Sequence, residues 1–189
     1  MKKLGVGVIV IVILIIAVSL FAIIGGYNKM ISNEETVDSA YSNLEVMLQR
    51  RADLIPNLVN TVKGFTNHET EIIEKVTDAR AKLVKANTLE EKESANNELS
   101  SSLKALMVVV ENYPDLKSSE NFIQLSDELA GTENRIAVAR KDYNDAVKTL
   151  NTLIKKFPNN FLAGMFGFEQ AKYFEANEKS SEVPSVNFD

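Results

Sequence analysis

His68 is the only histidine in this chain of 189 residues, and there is no cysteine. A di-iron carboxylate site in a helical protein needs Glu-x-x-His pairs on two helices plus two more glutamates, so one histidine cannot complete it. Nucleophilic triads find no support beyond that lone histidine, and thiol chemistry and Cys-based zinc or iron–sulfur sites are closed. His68 with Glu69 and Glu71 could hold a metal weakly, but at a helix start a cap or surface role is the expected one. No G-x-x-x-x-G-K-[ST] or G-x-G-x-x-G phosphate loop is present, and Gly164 and Gly167 alone are too weak a signal. No catalytic residue, metal site or cofactor is therefore expected.

The polar residues that stand in apolar seams are more informative. Val37, Tyr41, Leu44, Leu48, Arg51, Ile55, Leu58, Val62 and Phe65 recur at three-four spacing, the stripe of a bundle-facing helix. Only Arg51 is charged. Phe122, Leu125, Leu129, Thr132, Ile136, Ala139, Tyr143, Ala146, Leu150, Leu153 and Phe157 keep the same spacing for five heptads, and only Thr132 is polar. Glu133, Asn134, Arg135, Arg140 and Asp142 lie close to Thr132 in sequence, and Asp53 close to Arg51. An unpaired buried charge costs several kcal/mol, so Arg51 needs a carboxylate or carbonyls, with Asp53, Glu133 and Asp142 as candidates. A buried polar layer that fixes helix register is the expected role; a recognition surface for a partner helix or anionic ligand is the alternative.

The elements that carry these residues read as helices. Pro56 falls inside the first, so a kink or short break is expected near Ala52 to Ile55. A second helix is expected from Asn67 as N-cap, with Glu69 and Glu71 in its first turn and Ile72, Val76, Ala79, Leu83 and Ala86 as its stripe. Thr88 and Glu91 fit a capping box for a third, which buries Ala95, Leu99, Leu103, Leu106 and Val110 and stops before Pro114. Short connections make neighbours antiparallel, so the expected fold class is all-α: an N-terminal transmembrane helix, then an up-and-down four-helix bundle with two long and two shorter helices over 27–158. The segment 159–176 is expected at the membrane-proximal end. Its Phe161, Leu162, Met165, Phe166, Phe168, Tyr173 and Phe174 either fill a groove of the long helices or form an exposed patch for lipid headgroups or another membrane protein. Residues 177–189 read as a polar tail.

The membrane enters through residues 4–24, which follow a short segment 1–3. Every residue from Leu4 to Ile24 is apolar, glycine or Ser19. Twenty-one residues make a helix of roughly 31 Å, close to the ~30 Å core of a bilayer. A cleaved signal peptide is the competitor, but its apolar region is shorter and the sequence around Gly25 and Gly26 is a poor cleavage site. Lys2 and Lys3 precede the span, while Lys29 is soon followed by Glu34, Glu35 and Asp38. The positive-inside rule then favours a domain outside the cytoplasm. The net charge of -5 and the lack of a dense basic cluster argue against nucleic acid as partner.

RRADLIPNLVNTVKGF (Arg50 to Phe65), GTENRIAVARKDYNDAV (Gly131 to Val147), KKFPNNFLAGMFGFEQAKYF (Lys155 to Phe174) and the terminal VNFD (Val186 to Asp189) resemble, in that order, the LemA family of bacterial membrane proteins. Tyr41 stands where a tryptophan is expected. The resemblance implies a single-pass protein with a helical-bundle domain, no established catalysis and no site residues to carry over. A noncatalytic, membrane-tethered interaction or scaffold module of the bacterial envelope is the expected function, with membrane lipid around the N-terminal helix and another envelope protein or a second copy as partner. A ligand-sensing bundle, with a small molecule between helices, is the alternative; no transmitter domain is recognised to support it.

Overall fold

The computed structural model describes residues 2–66 and 69–175. Its helices are α1 (Lys2–Lys63), α2 (Thr70–Lys85), α3 (Leu89–Val110), α4 (Pro114–Lys117), α5 (Glu120–Lys155) and α6 (Asn159–Phe166). Among the described residues there is no strand. Two compact units divide the chain: Met1–Ala40 with Tyr143–Lys172, and Tyr41–Asp142 with Tyr173–Asp189. The expected 27–158 stretch thus contributes to both units. The expected tail, 177–189, lies outside the described residues, as do Asn67 and His68.

The second unit holds the larger core. Ile55, Leu58 and Val62 of α1 bury with Val76 and Ala79 of α2, Leu99 and Leu106 of α3, Leu116 of α4, and Phe122 and Leu129 of α5. Each of these is an apolar side chain removed from water, worth about 1.5–3 kcal/mol for one of leucine or phenylalanine size. On α1 the apolar stripe is buried from Leu44 to Val62, but Phe65 is exposed, because the helix ends at Lys63 and the following turn swings the ring outward. The break expected at Pro56 does not form: α1 runs through it as one helix. Proline has no N–H for the carbonyl of Ala52 four residues earlier, and the Nε of Arg80 on α2 donates to that oxygen at 2.8 Å instead.

α2 starts later than expected. Its N-cap is Glu69, which makes no side-chain cap bond, so Glu69 stands before the first turn and only Glu71 within it. Ile73, rather than Ile72, is the fully buried member of the stripe, and Ala86 caps the C-terminus. Tyr113 donates its hydroxyl to Glu69 Oε1 at 2.8 Å, and that bond to a carboxylate holds the phenol above its ordinary pKa. α3 opens with a complete capping box. The backbone N–H of Glu91 donates to Thr88 Oγ1 at 3.2 Å, and Thr88 N–H donates to Glu91 Oε2 at 3.1 Å. Thr88→Ala should lower stability by about 1 kcal/mol in a urea titration. The N–H groups of Asn87 and Thr88 hold the Glu91 carboxyl below the usual range. A depressed folded pKa stabilises above the unfolded value, about 4.3, and the effect is lost as pH falls through the folded one. The stability gap between the native chain and Glu91→Gln should therefore close on acidification below about pH 4; a gap constant through that range would contradict the assignment.

In the first unit α1 carries the apolar run. Every side chain from Ile9 to Ile24 is exposed, and this is a helix long and apolar enough to cross a membrane. Ser19, the polar side chain of the run, donates to the carbonyl of Ile15 at 2.8 Å and so needs no water. Further along, Met30 and Val37 are buried, as are Tyr143, Val147, Leu150 and Ile154 of α5. The α5 stripe drifts: after Tyr143 the deepest positions include Val147, Asn151 and Ile154 rather than Ala146 and Leu153. A straight helix turns every 3.6 residues and slips off a strict 3.5 repeat. Phe157, expected to end that seam, lies past the end of α5 and is 80% exposed.

Candidate functional site

Arg51 is the most deeply buried charge among the described residues, at 4% exposure. Its place on the inner stripe of α1 points the side chain across the second unit. Its Nη1 donates to Asn96 Oδ1 of α3 at 2.6 Å and lies 2.9 Å from Glu133 Oε2 of α5. The contact with Glu133 is ionic and not aligned as a hydrogen bond, so that oxygen is buried without a directed donor. Burial is the larger influence and lowers the guanidinium pKa, while the Glu133 carboxylate works against it. Arginine stays charged at any ordinary pH.

The other candidates of the polar layer separate. Thr132 is buried, and its hydroxyl donates to the Glu128 carbonyl of its own helix at 2.7 Å. Asp53 faces away from Arg51, is exposed and accepts from Gln49 at 2.8 Å. Asn134, Arg135 and Asp142 are exposed. Arg140 is half-buried, its guanidinium 5.2 Å from the centre of the Phe174 ring, within cation–π range. The structure therefore brings together Arg51 and Glu133 and leaves Asp53, Asn134, Arg135, Arg140 and Asp142 out of that contact. Asn96 is the member that sequence reasoning missed. It sits one position past Ala95 and three before Leu99, a spacing that could have marked it as inward-facing. Beside this layer Arg50, Gln124, Thr132 and Arg135 line an open surface concavity with the acids Glu120, Asp127 and Glu128.

The aromatic segment is divided between inside and outside. Leu162 is buried, Phe168 half-buried, and Phe161, Met165 and Phe166 are exposed in the first unit. In the second unit Phe174 is buried and Tyr173 exposed. The Phe166 and Phe168 rings meet Tyr27 edge-to-face, at 4.9 and 5.7 Å between centres. Gly26 permits the approach of α6: a Cβ there would lie 2.9 Å from Leu162 Cδ1. Gly167, at φ 79°, closes α6 in the left-handed region and turns the chain toward Phe168. Beyond it, Asn151 clamps Ala171 by accepting from its N–H and donating to its C=O, both at 2.9 Å, and Tyr143 donates to the Lys172 carbonyl at 2.8 Å.

No group of three or more metal-ligating side chains gathers among the described residues, and the His68 candidate lies outside them. The elements define an all-helical protein with one long apolar N-terminal helix and a buried arginine layer. The LemA family profile matches residues 40–188, and the chain belongs to the LemA family. Magnetosome protein MamQ 2 of Paramagnetospirillum magneticum is 31% identical, over 85% of this chain and 68% of its own length. Magnetosome protein MamQ of Magnetospirillum gryphiswaldense is 28% identical over 98% and 79%. Protein LemA of Metamycoplasma hominis is 27% identical over 86% and 75%.

Proposed function

We propose that this chain is a noncatalytic interaction or scaffold module of the bacterial envelope, held in the cytoplasmic membrane by residues 4–24. The observation that carries the reading is the wholly exposed apolar run on α1, which continues without a break into the core-forming residues Leu44 to Val62. So large an exposed apolar surface is stable in lipid and a liability in water. We read the helical domain as an up-and-down bundle in which α1 and α5 are the long members and α2 and α3 the short ones. Core side chains drawn from all four support this reading. The lysines before the span support a domain outside the cytoplasm. The names MamQ and LemA specify no reaction. A partner is then another envelope protein or a second copy of the chain.

Photo-crosslinkers at Ile123 and Val138, large apolar residues exposed on α5, test the proposal in native membranes. Discrete adducts with one envelope protein or with a second copy are expected. Turnover by homogeneous protein, lost on a single substitution, would contradict it. The concavity that holds Arg50 and Arg135 favours a second reading, a ligand-sensing bundle. Its lining also carries three acids, which weakens its attraction for an anion. A small molecule retained by the purified protein and released on Arg135→Ala would put this reading first.

A further inference from the structure

α6 is apolar on both of its sides, and only one of them is covered. Leu162 and Ala163 are buried, and Gly26 and Tyr27 of α1 pack on this side of the helix. On the other side Phe161 and Met165, four residues apart, are 66% and 73% exposed, and the Phe157 ring lies 6.0 Å from that of Phe161. An apolar face that water would otherwise touch calls for an apolar environment of its own. The position of this patch says what supplies it. Gly26 lies two residues past Ile24, the end of the apolar run, about 3 Å along the helix axis. The patch therefore belongs to the level at which α1 leaves the bilayer, where interfacial helices bury phenylalanine and other apolar side chains at the headgroup–acyl boundary. Its charge fits a lipid surface as well. Between Asp145 and Glu169 the sequence has Lys148, Lys155 and Lys156 and no acid. Lys155 and Lys156 are exposed just before Phe157.

We propose that α6 and Phe157 form an interfacial foot on an anionic bilayer, with Phe157, Phe161 and Met165 among the upper acyl chains and Lys155 and Lys156 on headgroup phosphates. The foot would give the domain a second contact with the membrane and so restrict rotation of α1 about its own axis. This rests on residues 4–24 being a membrane anchor, and the test separates the two claims.

The chain has no tryptophan, so Phe161→Trp and, separately, Met165→Trp each place a single reporter on the patch. The full chain is reconstituted into vesicles of mixed phosphatidylcholine and phosphatidylglycerol, with plain lipid or with lipid brominated near the headgroup end of the acyl chains. Interfacial helices sink about 5–10 Å into the headgroup–acyl boundary, so brominated lipid should roughly halve the emission of either reporter. Lys155→Gln with Lys156→Gln should weaken that quenching. Protein that floats with the vesicles but emits equally in plain and brominated lipid overturns the foot and leaves the anchor standing. Blue-shifted emission untouched by bromine, with crosslinks between chains, would mean that a second copy covers the patch and likewise overturns it. Protein that does not float overturns the anchor and the foot together.

Discussion

Arg51→Ala is expected to lower the unfolding free energy by about 3 kcal/mol, measured by urea titration of the full chain in lipid nanodiscs. The truncation leaves Asn96 Oδ1, on a residue 1% exposed, without its donor, and removes the packing of the arginine stem. It also strands Glu133 Oε2, although a side chain that is 45% exposed can turn toward water, which keeps the loss at the lower end for a broken buried pair. The same logic predicts a rescue. Arg51→Met combined with Asn96→Leu and Glu133→Gln removes the charge with both of its partners, and should recover most of the loss because no buried charge is left unpaired and the amide at position 133, on a side chain 45% exposed in the native chain, can turn to water. If Arg51→Ala left stability unchanged and abolished only a crosslinked adduct, Arg51 would belong to a recognition surface instead.

The second large effect concerns Pro56 and Arg80. Proline in a helix interior costs about 3 kcal/mol, partly through the carbonyl it leaves unbonded. Here that carbonyl, of Ala52, accepts from Arg80 Nε. Arg80→Ala should therefore cost about 1–3 kcal/mol while Pro56 is present, since it orphans a carbonyl on a residue only 1% exposed. In a Pro56→Ala background the new N–H at position 56 can bond Ala52, and Arg80→Ala should then cost clearly less. The coupling in this double-mutant cycle should fall in the range of about 0.5–3 kcal/mol for residues that share a partner. Equal costs in both backgrounds would show that Arg80 is not the substitute donor.

These two sites show where a sequence is legible and where it is not. Arg51 stands out in the linear pattern because it interrupts an apolar stripe, and that stripe is itself local information. Its polar partners come from α3 and α5, and proximity in sequence favours Asp53, whose side chain faces another way. Pro56 announces a break from local chemistry alone; the helix continues, and the carbonyl that proline leaves free is taken by a residue from α2 that no local rule anticipates. The capping box of Thr88 and Glu91 needs only neighbours three residues apart, and both its bonds are present. Phe65 and Phe157 leave their expected seams for a shared reason: both lie past the helix ends, where a side chain no longer follows the helical face. The division of the aromatic segment was also hidden. Composition shows that Phe161, Leu162, Met165, Phe166 and Phe168 are apolar, but which side of α6 is covered depends on how closely Gly26 lets that helix approach.

An envelope module of this kind requires residues 4–24 to remain in the mature chain as a membrane anchor. The most direct test is the intact mass of the protein recovered from membranes that have been washed with alkaline carbonate. The expected result is a carbonate-resistant species whose mass includes residues 4–24. Recovery in the wash, or of a shorter species that begins after Ile24, would contradict it.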